Sequence, residues 1–139
     1  MAIRDLKSTI TERSALSFTN VVGSGTTVGN IIDAQGYESI TFEANLHEWV
    51  DGVYTPLIED GDDAALSDAA TVTSDYLVGT PAAVAAILIS ANTVSSIGYI
   101  GKKRYVRISL VASGVTSGGS VSSTVILGDA HRNPIPWNG

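Results

Sequence analysis

Residues 98–128 read GYIGKKRYVRISLVASGVTSGGSVSSTVILG, and their alternation decides the fold. Val106, Ile108, Leu110 and Ala112 alternate with Tyr105, Arg107, Ser109 and Val111. Further on, Val121, Ser123, Val125 and Leu127 share one face, opposite Ser122, Thr124 and Ile126. A period of two in aliphatic and β-branched residues marks strands with one buried face. Ser123 and Ile126 blur the second pattern, so the first strand is the cleaner. Gly118 and Gly119 offer positive φ and predict a tight hairpin between the two. The stretch carries structure and no chemistry: neither strand offers a nucleophile–base pair, a metal cluster or a phosphate loop.

The same pattern extends toward the N-terminus. Ser14–Val22 predicts a strand with Leu16, Phe18 and Asn20 on one face and Ala15, Ser17, Thr19 and Val21 on the other. Gly23–Gly25 is a turn, Thr26–Ile32 a second strand, and Ala34–Gly36 another turn. Glu38–Val50 alternates Ile40, Phe42, Ala44 and Leu46 with polar residues, as in an antiparallel sheet with one wet face. Asp51–Gly52 is a hairpin signal, with Val53–Glu59 as the return strand. Pro56 cannot donate to a ladder, which places that strand at an edge or at a bulge. Asp60–Asp63 opens a polar loop, and Ala70–Thr73 has weak strand character. Pro81–Ala91 fits either one short helix or a buried strand at Ala86–Ser90; Ser95–Ile100 leads into the final pair. Many short strands with glycine turns predict an all-β chain, an antiparallel β-sandwich or jelly roll with extended N- and C-terminal arms. The expected divisions are an arm at 1–13, a sandwich domain at 14–128 and a tail at 129–139.

A chain of 139 residues suits one domain. A domain of this size buries roughly two-thirds of its unfolded surface. Apolar residues make up 44%, with only two Phe and two Trp, so the core must be largely aliphatic. The absence of Cys excludes disulfides and thiolate metal sites. Met1–Arg13 lacks an apolar leader core, and Pro81–Ile89 falls far short of the ~20 apolar residues of a membrane span. The expectation is a soluble protein made in the cytoplasm, with no membrane partner. The net charge of −6 is unevenly spread. Between Ser14 and Gly101 there are eleven Asp and Glu and no Lys or Arg; the basic residues lie in the N-terminal arm, in Lys102–Arg107 and at Arg132. So acidic a body argues against nucleic acid, whose affinity comes from phosphate neutralisation.

Few residues invite chemistry. Gly23-x-Gly25-x-x-x-Gly29 has the wrong spacing for a dinucleotide loop and no βαβ context, so no cofactor is expected. Glu59–Asp63 could attract a hard cation, but an EF-hand's closing Glu would fall where Thr71 stands, and a solvated acidic loop is the plainer reading. His47 and His131 are the only histidines, too few for a metal site, and no metal is expected. His47 shares a face with Glu43 and Asn45, and Gly-x-Ser-x-Gly is absent, so no hydrolase triad is supported. No catalytic residue is assigned, and the chain is not expected to be an enzyme. Trp49 and Trp137 are candidate partner contacts, as aromatics are enriched at interface hot spots.

Tyr99–Arg107, YIGKKRYVR, resembles the GYVGxKRYVRV segment of small virion proteins of tailed bacteriophages, the capsid decoration or cement family. Asp33–Phe42, DAQGYESITF, is similar to their DTxGYESLTF segment, and Asp51–Asp60, DGVYTPLIED, is a third match. Order and spacing agree across roughly residues 14–128, with a departure at Leu77–Ala91. The matched segments are strand-and-turn patterns without catalytic residues. The resemblance implies a structural virion protein on the outer surface of an icosahedral capsid, bound to the major capsid protein and cementing neighbouring capsomers. A homo-oligomer, most simply a dimer, is expected because antiparallel sheets leave edges that must be covered. The alternative is a carbohydrate- or receptor-binding β module.

The two arms are the expected partner-binding segments. Ile3, Leu6, Ile10, Ile135 and Trp137 are apolar anchors too sparse to build a core element. Arg4, Lys7, Arg13 and Arg132 add the positive charge that the body lacks. Such segments can order on binding and wrap a partner surface.

Overall fold

The structure, a computed structural model, describes residues 6–130. In chain order the strands are β1 (Thr11–Val21), β2 (Gly25–Val28), β3 (Ile32–Asp33), β4 (Tyr37–Trp49), β5 (Val53–Gly61), β6 (Ala70–Thr71), β7 (Leu77–Val78), β8 (Thr93–Tyr99), β9 (Tyr105–Ser113) and β10 (Gly119–Ala130). A helix, α1 (Pro81–Ile87), stands between β7 and β8, and short 3-10 turns lie at Lys7–Thr9 and Ser74–Tyr76. The first sheet has the order β1-β10-β4-β8-β7; the second has β2-β9-β5-β6, with β3 also on β9. Every pairing is antiparallel. The chain is an all-β sandwich.

The core is the set of alternate side chains that both sheets turn inward. Ile40, Phe42, Ala44 and Leu46 come from β4; Val106, Ile108, Leu110 and Ala112 from β9; Val121, Val125 and Leu127 from β10. Ser123 lies on the same buried face and is satisfied there, its hydroxyl donating to the Glu43 carbonyl at 2.7 Å. Pro81–Ile87 resolves as helix: Thr80 Oγ1 accepts the Ala83 N–H at 3.1 Å and Pro81 occupies the first turn, where its missing N–H costs nothing. With its buried Val84, and Leu88 just beyond, the helix packs against β5 of the second sheet and β8 of the first. Pro56 pairs with Leu110 on one side only; β6 begins to pair with β5 at Glu59, so the proline faces an unpaired edge.

Two expected hairpins are corners instead. β9 belongs to the second sheet and β10 to the first, so residues 114–118 carry the chain across the core. Positive φ falls at Gly114 and Gly118. Asp51–Gly52 likewise links β4 in one sheet to β5 in the other. Alternation reports which face is buried, and two strands on opposite walls of one core alternate as two paired strands do. Of Ser95–Ile100, all but Ile100 is part of β8, paired with β4 rather than a mere lead-in.

β1 departs from simple alternation. Register shifts occur between Ser14 and Leu16 and between Leu16 and Thr19. Neighbouring Ala15 and Leu16 are therefore both buried, while Phe18 is 60% exposed. The first bulge also frees backbone acceptors: Asn30 N–H donates to the Ala15 carbonyl at 2.7 Å and its side-chain amide to the Ser14 carbonyl at 3.1 Å. Part of the long β1 edge is thereby occupied by the chain itself. β1 starts at Thr11, so Arg13, expected in the arm, stands in a strand opposite Val125. At the other end β10 runs to Ala130, past the expected boundary at 128.

Candidate functional site

The basic stretch Lys102–Arg107 is largely committed inside the molecule. Arg104 grips Asp33 with two bonds of 2.9 Å, Nε to Oδ1 and Nη2 to Oδ2. This fork holds the Asp33 carboxyl down at about 2. Arg107 donates to Glu59 at 2.9 Å with both side chains 20% exposed, and Lys103 Nζ reaches Asp62 at 2.7 Å. Lys102 is the cation of this stretch that forms no ion pair among the described residues.

These contacts join the sequence segments singled out above. Asp33 lies in the second, Glu59 and Asp60 in the third, and Tyr99, Arg104 and Arg107 in the first. The Tyr99 hydroxyl donates to Asp60 Oδ2 at 2.6 Å and accepts the Lys103 N–H at 3.2 Å. Burial, and then the Asp60 carboxylate, push the Tyr99 phenol up. Gly101 has its place because the backbone crosses the Tyr99 ring: a Cβ there would lie 2.6 Å from ring carbon Cε1.

Above this Tyr99–Asp60 bond lies a cleft of about 430 Å³. One wall is Thr71 of β6, Val72, Thr73 and Tyr76; the other is Gly101, Lys102 and Lys103. The walls meet where Ile100 N–H donates to the Tyr76 carbonyl at 2.8 Å. Tyr76 is 52% exposed. Spacing in the sequence could not reveal the cleft, because its residues come from four separated segments.

The acidic loop is internally engaged. Asp63 accepts from the Ala65 and Ser67 N–H groups and the Ser67 hydroxyl; Asp68 accepts from the Asp62 and Asp63 N–H groups. These donors hold both carboxyls below the usual range. Among the described residues no three His, Cys, Asp or Glu side chains are placed to hold a metal.

On the outer face of the first sheet, the register sets Ser122 opposite Asn45 and Asn45 opposite Val94. Phe18 reaches His47 at 5.2 Å between ring centroids, and His47 Nε2 lies 2.8 Å from Ser122 Oγ. This Ser–His contact sits on an open sheet face. No hydrogen bond joins the ring to a carboxylate among the described residues. Trp49 bonds the Gly52 carbonyl at 3.0 Å and keeps 37% of its surface exposed.

Among the arm residues, Leu6 is 65% exposed and Ile10 half-buried. Lys7 pairs with Glu12 at 3.7 Å, and Arg13 donates to the Asp33 carbonyl at 2.9 Å. Ile3, Arg4, Arg132, Ile135 and Trp137 lie outside the described residues, as does His131. No described helix is long and apolar enough to cross a membrane. Neither a known family model nor a curated protein matches the chain.

Proposed function

We propose that this chain is a capsid decoration protein of a tailed bacteriophage, a structural subunit bound to the outside of the icosahedral shell that cements neighbouring capsomers. One observation carries the reading. The three segments that resemble that family bond to each other, through Asp33–Arg104, Glu59–Arg107 and Asp60–Tyr99, rather than to any reactive centre. Motifs of this kind preserve a scaffold. The strand order supports a jelly roll: with β2 and β3 counted as one strand, and the two-residue edge strand β7 left out, the sheets run 1-8-3-6 and 2-7-4-5.

The partner in this reading is the major capsid protein, contacted through the arms, with the protein made in the host cytoplasm and ending in the virion. A homo-oligomer, a dimer in the simplest case, is supported by the outer edge of β8, which β7 pairs only at Gly98 and Tyr99. Binding only to the assembled lattice stabilises that lattice by mass action. The test is to mix the purified protein with capsids of the parent phage that lack it, sediment them and image the particles by cryo-electron microscopy. Added density at regular positions on the outer surface is expected; bare shells overturn the reading.

A further inference from the structure

We infer that the cleft between Tyr76 and Lys102 is a binding site for an uncharged saccharide ring. Its volume of about 430 Å³ lies in the range of small-molecule sites, roughly 300–1,000 Å³. Its charges balance. Asp60 contributes a carboxylate, Lys102 an ammonium, and Lys103 is neutralised by Asp62. An anionic ligand would meet Asp60 with Asp62 and Asp68 close behind, and a cationic ligand would meet Lys102, so neither is favoured.

A sugar hydroxyl both donates and accepts. Asp60 spends Oδ2 on the Tyr99 hydroxyl, and Oδ1 takes no donor among the described residues, so it can accept. Lys102 can only donate, and the Thr71 and Thr73 hydroxyls can do either. Tyr76 presents a half-exposed ring to the apolar face of a pyranose. The site is set in advance of any ligand. The Tyr99–Asp60 bond and the Lys103 N–H fix the floor, and the Ile100–Tyr76 bond fixes the separation of the walls. The inference does not rest on the capsid reading and would hold for a protein of another role.

The test titrates isotope-labelled protein with the methyl glycosides of glucose, galactose, mannose and N-acetylglucosamine, following backbone amides by NMR. Amides of Thr71, Thr73, Tyr76 and Lys102 should shift with at least one of them. Tyr76→Ala, at an exposed position, should weaken that binding about tenfold, while Phe18→Ala on the first sheet's outer face leaves it unchanged. Glucuronate and glucosamine should bind more weakly than the neutral sugar. A second arm passes the protein over beads carrying dextran, galactan or mannan. Retention released by the monosaccharide identifies a surface polysaccharide as the source, and monosaccharide shifts without retention identify a free sugar. Silence of the cleft amides with all four glycosides, tighter binding of glucuronate, or a Tyr76→Ala variant that binds as wild type overturns the inference.

Discussion

The Asp51 carboxylate accepts the backbone N–H of Gly118 at 2.7 Å and ties together the two corners where the chain changes sheet. The same carboxylate takes the N–H groups of Thr116 and Ser117, at 3.1–3.2 Å, and the Asp51 N–H returns to the Gly118 carbonyl at 3.3 Å. Gly118 has φ of +85°, and a side chain there would strike the Val21 carbonyl. Led by the Gly118 donor, these bonds hold the Asp51 carboxyl below its ordinary range.

That depression fixes the sign of an acid effect. A carboxyl whose folded pKa lies below its unfolded value contributes stability above the unfolded pKa, about 3.9. The contribution is lost as pH falls through the folded pKa. Asp33, held down to about 2 by Arg104, behaves in the same way. Thermal midpoints should therefore drop between about pH 4 and pH 2. Asp51→Asn should be less stable than the wild type at pH 7, with the gap narrowing in acid; a constant gap across that range refutes the linkage.

Tyr99 gives the opposite sign at the alkaline end. Its folded pKa is raised, so its contribution is intact below the unfolded value of about 10 and is lost as pH rises toward the folded one. Tyr99→Phe removes a hydrogen bond to a carboxylate and leaves the Lys103 N–H without its acceptor. A loss of about 1.5–3 kcal/mol is expected in denaturant titrations at pH 7. The variant should also show less alkaline destabilisation than the wild type.

Ile108 and Phe18 separate core from surface. Ile108 is fully buried, and Ile108→Ala should cost about 2–5 kcal/mol. Phe18→Ala should stay within about 0.5 kcal/mol of wild type, since the bulge turns that side chain outward. Equal losses at the two positions would show that the register of β1 is wrong.

Much of this fold was legible because period-two alternation records burial directly. Val106, Ile108 and Leu110, with Ile40 and Phe42, are core residues on that evidence alone. What alternation does not encode is which wall of the sandwich a strand joins, so β9 and β10 read as a hairpin. The β1 bulges were hidden as well. Leu16 and Phe18 share a parity, and only the Ser123 and Val121 register shows that one is buried and the other exposed. At the cleft, Lys102 and Tyr76 carry no mutual spacing signal, and the neutralisation of Lys103, Arg104 and Arg107 depends on carboxylates 41 to 71 residues away. The sequence therefore carries no sign that, of the basic stretch, only Lys102 lacks an ion pair among the described residues.

The arms supply the last prediction. Removing residues 1–12 would take Thr11 and Glu12 from β1, where they pair with Leu127 and Ile126, and would damage the sheet as well as the arm. The informative deletions are 1–5 and 131–139, which leave every described strand whole. The first removes Ile3 and Arg4, the second Arg132, Ile135 and Trp137. Lys7 and Arg13 already bond within the chain, so the charge these segments could offer a partner is concentrated in Arg4 and Arg132. Each deletion should keep the wild-type circular dichroism spectrum and thermal midpoint, while weakening sedimentation with capsids that lack the protein. The weakening should shrink at higher salt, because screening takes from the wild type the charge contribution that the deletions have already lost, leaving only the missing apolar anchors. Full-strength capsid binding by the double deletion would place the interface on the sandwich itself, with the exposed face around Phe18, His47 and Val94 as the next surface to mutate.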